Sequence, residues 1–333
     1  MEPASLLRFV AIGAATWLSV AATVGTTVLV LRPWLRRFGP SVERVAAATA
    51  LVAGPVVAVA LVGLLVTHSA LAPLTPAGDH CLDHPHIAHL CLRHAGAATG
   101  GVTIDLLAVA SLTAAVWIAV RKRRRDRTKA AAVSALAQAA SPPVELPGVQ
   151  VLRVDSAQPF CIVTGPTSRP RILVSTAAWS AVSPEERDAM LAHELSHVRH
   201  GDLSTVTALG WCAALGFPGI GRRLLQGWRD ASERLADRAA ARSSSPSAVA
   251  AALLAITRAS RGPALALPAL SFASPAESLA RRIEELLDPT PDSPSLARRA
   301  SVAVWTTTCV GLLLAARHAA TLHHHLERLL GTV

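Results

Sequence analysis

Two histidines and a glutamate at a fixed spacing are the residues of this chain best suited to chemistry. The segment 191–197 contains the pattern H-E-x-x-H, formed by His193, Glu194 and His197. Because helical residues four positions apart project from one face, both imidazoles can bind the same metal ion. Glu194 can accept a proton from a water molecule on that metal, and the resulting hydroxide can attack a peptide carbonyl. The motif therefore predicts metal-assisted hydrolysis.

The motif needs a helix to present it, and the residues before it predict one. Ser183, Pro184 and Glu186 provide a serine N-cap, a proline at the first helical position and the glutamate of a capping box. Gly201 is a natural helix stop. We therefore expect a helix over about residues 184–200, with the motif in its second half.

A catalytic zinc needs a third protein ligand, and two carboxylates compete for this role. Asp202 follows the helix stop, where capping or a local ion pair would be its simpler role. Glu233 lies in the helical segment 231–238, and Asp237 follows one turn later on the same face. One carboxylate of that pair can bind metal while the other orients a ligating histidine. The alternative for this segment is a solvated helix of alternating charge. Histidine with carboxylate favours one Zn²⁺ per chain.

The elements that carry this site belong to an apolar chain. Of the 333 residues, 51% are hydrophobic, and the mean hydropathy is +0.41. A helix of about 20 apolar residues spans a bilayer, and the first run is too long for a cleaved signal peptide. Four candidate spans follow from this criterion: Phe9 to Leu31, Val45 to Thr67, Ala95 to Val120, and Ala300 to Ala316.

The net charge of +10 is concentrated beside these spans. Basic residues follow the first and third runs, whereas the loop 68–94 has a single arginine, Arg93. This pattern argues against direct nucleic-acid binding and favours a multi-pass protein of the cell membrane. By the positive-inside rule, the N-terminus and the loop 68–94 are outside, and residues 121–299 are cytoplasmic.

The outer loop has its own candidate chemistry. Cys81 and Cys91 lie close together there and are expected to form a disulfide. The loop is also rich in histidine, so a second metal site or a pH sensor is the alternative.

These observations predict a mainly α, multi-span helical membrane protein with an α+β domain inserted between spans 3 and 4. Residues 1–120 hold three spans, 121–299 the cytoplasmic metal-binding domain, and 300–333 the fourth span and a short outer tail. Three β-branched runs before the motif predict a small antiparallel sheet. The uncharged segment 203–221 is predicted to be a hairpin around Phe217, Pro218 and Gly219 that could dip into the membrane. A full crossing there would separate Glu233 from His193.

Taken together, the metal-site residues resemble a family. His193 to His197, His200 to Asp202, and Glu233 with Ala236 and Asp237 resemble BlaR/MecR-type membrane metallopeptidases, peptidase family M56, and less closely HtpX-type membrane proteases. Both groups are gluzincins, so the resemblance implies a zincin domain with Glu233 as the third zinc ligand and Asp237 as a supporting acid. Ser278 to Ile283 and the order of the spans fit the same pattern. BlaR/MecR sensors carry a penicillin-binding domain after the last span. Some 17 residues follow Ala316 here, so β-lactam sensing is not expected.

The resulting functional hypothesis is a membrane zinc endopeptidase that acts on a cytosolic or membrane-associated protein. The BlaR/MecR resemblance implies a transcriptional repressor as substrate, whereas the HtpX resemblance implies quality control of membrane proteins. A third hypothesis is a receptor or scaffold with a structural zinc site. Glu194 argues against it, because a structural site has no use for a general base.

Overall fold

The computed structural model describes residues 3–71, 102–141, 144–146, 148–166, 168–260 and 276–331. Cys81, Cys91 and the histidines between them lie outside these ranges, so the disulfide and the outer metal site remain predictions.

Long apolar helices make up both ends of the described chain. Helices α1 and α2 form a hairpin closed by the 3-10 turn Arg36–Phe38. Among the described residues, α1, α2 and α10 are long and apolar enough to cross a membrane. The predicted third span begins outside the described ranges, so it remains a prediction. Its described part belongs to α3, which continues through the basic segment that follows. The bounds are α1 Pro3–Leu35, α2 Pro40–Leu71, α3 Val102–Gln138, α10 Pro294–Arg317 and α11 Ala319–Gly331.

A four-stranded sheet precedes the H-E-x-x-H helix. The strands are β1 Val144–Leu146, β2 Val149–Val154, β3 Cys161–Thr164 and β4 Arg171–Ser175, in the order β1-β2-β4-β3. The prediction of an antiparallel sheet is wrong for one pair, because β2 and β4 are parallel. After β2 the chain runs to the far edge of the sheet and forms β3. β4 then lies between β2 and β3, parallel to β2 and antiparallel to β3. This order leaves β3 at the edge of the sheet.

Helix α5, Pro184–Arg199, carries the motif and begins where the capping box predicts. The Ser183 amide donates to the Glu186 carboxylate at 2.8 Å, and the Glu186 amide donates to the Ser183 hydroxyl. The helix stops before Gly201, whose φ of 63° lies in the left-handed region that favours glycine. Local sequence therefore fixes both ends of this helix.

The uncharged segment 203–221 contains most of one helix, a bend and the first turn of the next helix, and the two helices form a hairpin. Helix α6, Asp202–Leu215, is followed by a bend at Gly216 and Phe217 and then by α7, Pro218–Ser243. The two arms touch closely, since a Cβ on Gly221 would lie 2.5 Å from the Ala213 carbonyl oxygen. The hairpin packs against α2 through a shared buried cluster, and Val24, Val28 and Leu29 of α1 pack against it, partly buried. The members of the cluster are Ala47, Ala50, Leu51, Val206, Leu209, Ala213, Leu224 and Trp228.

Three further helices complete the domain around the sheet. They are α4 Thr176–Ala181, α8 Pro246–Ala259 and α9 Ala276–Leu287. Ile172, Met190, Leu253 and Ile256 lie at the centre of this core, buried from solvent. The core holds α5 and α7 side by side, and these two helices carry the predicted site residues.

Candidate metal centre

Three predicted ligand side chains converge between α5 and α7. The Nε2 atoms of His193 and His197 are 3.2 Å apart. The Glu233 carboxylate lies 3.3 Å from the first of them and 3.6 Å from the second. Two nitrogens bound to a tetrahedral zinc at about 2.0–2.1 Å would be separated by about 3.3 Å. All three side chains are buried, and together they form a group able to hold a metal ion.

Each histidine has a carboxylate on its other ring nitrogen. The Nδ1 atom of His193 lies 2.9 Å from Asp237, and that of His197 lies 2.8 Å from Asp202. A carboxylate in this position holds the proton on Nδ1 and leaves Nε2 free for a metal. In the sequence, Asp202 and Glu233 are the two candidates for the third ligand. The fold places Asp202 on the far side of the His197 ring, in the same relation that Asp237 has to His193.

Arg282 on α9 is the site residue that the sequence reasoning missed. Its Nε and Nη2 atoms donate to the two Asp237 oxygens at 2.6 and 2.7 Å, and its Nη1 atom lies 3.2 Å from Glu233. A signal was present in the sequence. Arg282 shares the buried face of α9 with Leu279 and Leu286, and an arginine on an apolar stripe usually has a buried carboxylate partner.

The charges of this cluster divide its carboxylates into two kinds. Burial raises the pKa of Glu194 to about 8, and the neighbouring Glu233 adds to the rise. Burial is the largest single influence and acts in the same direction on Glu233 and Asp237, but the Arg282 guanidinium and the neighbouring histidines together outweigh it and lower the pKa of both. Neither oxygen of Glu194 makes a hydrogen bond of normal geometry within the described chain. Glu194 is therefore the carboxylate best suited to take up a proton.

The centre is also tied to the long helices at the N-terminus. Arg44, in the second turn of α2, forms an ion pair with Asp202. One residue earlier, Glu43 is buried and pairs with Arg234 on α7 and with Arg32 on α1. In the sequence, Arg44 is one of the basic residues that follow the first apolar run. In the fold it supports the partner of His197.

Arg238 and His200, two polar side chains of α7 and of the end of α5, are engaged away from the candidate ligands. Arg238 binds the Glu285 carboxylate and the Thr290 carbonyl, and the His200 ring lies 2.8 Å from the Ser196 carbonyl. Neither contact involves the three converging side chains.

Comparison with known proteins gives two similar proteases. One is the Protease HtpX homolog 2 of Methanosarcina mazei, 34% identical over 74 residues, which is 22% of this chain and 25% of that protein. The other is the Protease HtpX of Pasteurella multocida, 29% identical over 91 residues, which is 27% of this chain and 31% of that protein. The matches thus span about a quarter to a third of these relatives. No solved structure matches the chain significantly.

The family comparison covers the whole metal-binding region. The model of peptidase family M48 matches residues 123–290, from the basic part of α3 past the end of α9. These matches support the HtpX side of the predicted resemblance and give no support to the BlaR/MecR family. The metal-site residues did not separate the two, because they are the features that both resemblances share. Since the family model spans half of the chain, this protein belongs to peptidase family M48.

Proposed function

We propose that this protein is a zinc-dependent membrane endopeptidase with His193, His197 and Glu233 as metal ligands and Glu194 as the general base. The convergence of the two Nε2 atoms on the Glu233 carboxylate supports the ligand set. The carboxylate behind each ring supports it further.

The chemistry divides between the metal and the chain. Zinc, when bound, would polarise the attacking water and the substrate carbonyl. Glu194 takes the proton of that water on its carboxylate and passes it to the departing amine. Asp237 and Asp202 hold the two rings in place, and Arg282 keeps Asp237 and Glu233 charged. A structural zinc site would leave Glu194 without a role, which is why we favour catalysis over a scaffold.

For the substrate, we propose damaged or misfolded membrane proteins. Both similar proteases are named HtpX, the group for which quality control was the sequence hypothesis. Cleavage of a transcriptional repressor is the second candidate, and it rests on the BlaR/MecR resemblance alone. The packing of the α6–α7 hairpin against α1 and α2 supports a centre close to the membrane, with the catalytic domain on the cytoplasmic side.

The test is a comparison of reconstituted liposomes that carry either wild type or Glu233→Ala. A membrane protein is added in native and in heat-damaged form, and its fragments and the bound zinc are measured. We expect about one zinc per chain, faster cleavage of the damaged form at several sites, and loss of both metal and cleavage in Glu233→Ala. Glu284→Ala, an exposed acid on α9, serves as the control. Full metal retention by Glu233→Ala would refute the ligand set, and cleavage of the native and damaged forms at the same rate and at one site would refute the quality-control role.

A further inference from the structure

A large cavity lies between α3, the α6–α7 hairpin and the end of the edge strand β3. Its volume is about 990 Å³, at the upper end of the range of about 300–1,000 Å³ for ligand sites. It shares Val163, Gly165, Pro166 and Leu203 with a small crevice that reaches His197. The cavity thus adjoins the metal centre, but its lining contains none of the three proposed ligands.

The lining is strongly basic and contains a single carboxylate, Asp126. This carboxylate pairs with Lys122 at 2.7 Å, and Lys122 also lies 4.7 Å from the centre of the Trp211 ring. Six more cations have no ion-pair partner anywhere in the described part of the chain. They are Arg121, Arg125, Lys129, Arg171, Arg222 and Arg229. Like charges that face one another around a cavity repel, so an anion would be stabilised there.

Not all of these cations are free in solvent. The Nε atom of Arg171 is buried and makes no hydrogen bond to any described residue. Arg229 lies one turn before Glu233 on α7, and burial lowers its pKa although Glu233 and Asp230 oppose the change. A guanidinium that is partly desolvated and unpaired gains more from an anionic ligand than a fully hydrated one.

The position of the cavity indicates the kind of anion. Helix α3 exposes Leu106, Leu112, Val116 and Trp117 along its predicted span, with Trp117 60% exposed. The cations begin one turn later, at Arg121. An apolar surface that ends in a tryptophan and then in arginines is typical of the interface between hydrocarbon and headgroups.

The cavity wall also has an apolar part, which the hairpin contributes beside Arg222 and Arg229. Ala213, Ala214, Pro218 and Leu225 line it, and Trp117 and Ile118 close the end nearest the span. A soluble acidic peptide would match the cations but not this wall. An amphiphile with an anionic head and apolar chains matches both.

We propose that the cavity binds the phosphate headgroup of an anionic phospholipid from the surrounding bilayer. The phosphate lies among the arginines of α3 and α7, and the acyl chains follow Trp117 and the hairpin wall. Basic pockets beside membrane helices on the cytoplasmic side recognise such headgroups. Because the site excludes the metal ligands, the inference does not depend on the proposed peptidase activity.

The experiment measures lipid binding to the full-length protein purified in mild detergent. Phosphatidylglycerol, phosphatidylcholine, glycerol 3-phosphate and a polyglutamate peptide are added separately, and bound species are quantified by native mass spectrometry. Wild type is compared with the double variant Arg125→Gln/Arg222→Gln. The control, Arg242→Gln/Arg258→Gln, removes the same charge from exposed arginines outside the cavity.

We expect wild type and the control to retain phosphatidylglycerol, and the cavity variant to bind it about tenfold or more weakly. Phosphatidylcholine and glycerol 3-phosphate should bind weakly to all three proteins, since one lacks net charge and the other lacks chains. Equal retention of both phospholipids, or unchanged binding by the cavity variant, would overturn the proposal. Tighter binding of polyglutamate than of phosphatidylglycerol would assign the cavity to an acidic protein segment instead.

Discussion

Two charged regions meet on α7, and they differ in whether their charged side chains have oppositely charged partners within the described chain. Around the candidate metal centre, buried carboxylates have cationic or imidazole partners: Asp237 has Arg282 and His193, and Asp202 has Arg44 and His197. In the neighbouring cavity, cations such as Arg125 and Arg222 have no carboxylate partner among the described residues. The ion pairs and hydrogen bonds of the first region hold the two histidine rings in place. Because these cations of the second region lack a carboxylate partner within the described chain, they are available to a ligand.

The largest effect should come from Glu194, the carboxylate of the centre that forms no ion pair with any described residue. We expect Glu194→Gln to lower the rate of peptide cleavage by about 10²–10⁴-fold, because proton transfer at this position is lost. Zinc content should stay unchanged, since Glu194 is not a proposed ligand. Both are measured on the same preparation, with Asp188→Asn on the exposed face of α5 as the control. Loss of metal in Glu194→Gln would place this residue among the ligands.

Removing Arg282, the cation that pairs with Asp237 and Glu233, should lower the stability of the fold as well as the activity. Arg282→Met leaves Glu233 and Asp237 buried without their guanidinium partner, so we expect the free energy of unfolding to fall by about 3–5 kcal/mol. Denaturant titration in detergent micelles measures it. Arg281→Met, one residue earlier and partly exposed, should cost far less.

A second substitution sharpens this prediction. Asp237→Asn added to Arg282→Met should cost less than the sum of the two single changes, because the residues interact directly. Strict additivity would mean that the Arg282–Asp237 pair contributes nothing of its own.

A smaller effect, on metal affinity, is expected for Arg44, which reaches the metal centre only through Asp202 and His197. Arg44→Gln removes the ion pair that holds Asp202 behind His197, and loss of such support typically weakens metal binding by about 10–100-fold. Competition with a chelator measures the affinity. Arg37→Gln, an exposed arginine near the same turn, should bind zinc like wild type. An unchanged affinity in Arg44→Gln would show that α2 does not position the centre.

The smallest effect on folding should come from the cavity. Arg125→Gln/Arg222→Gln removes two charges that have no carboxylate partner among the described residues, so the free energy of unfolding in lipid-free detergent should change by no more than about 0.5 kcal/mol. Thermal and denaturant unfolding test this, with Arg242→Gln/Arg258→Gln for comparison. A loss of several kcal/mol would mean that these arginines belong to the structural network, and the contrast between the two regions would fail.

Local patterns account for what the sequence predicted well. The capping box, the two histidines on one helical face and the bend near Pro218 each depend on residues a few positions apart, so elementary helix geometry is sufficient. The parallel pairing of β2 with β4 was mispredicted because strand order depends on the path of the chain between strands, which periodicity does not encode.

Residues close together along the chain already specify the available chemistry: two imidazoles and a general base on one helix, with two acids a turn apart on another. The roles of Arg44 and Arg282, and of Asp202 as the link between Arg44 and His197, follow from the fold, because each arginine lies far along the chain from its carboxylate and meets it through the packing of α2, α7 and α9. The basic cavity has the same origin. Arg121 and Arg125 belong to a plain charge run in the sequence, and they line a cavity because the α6–α7 hairpin, which carries Arg222 and Arg229, folds back beside them.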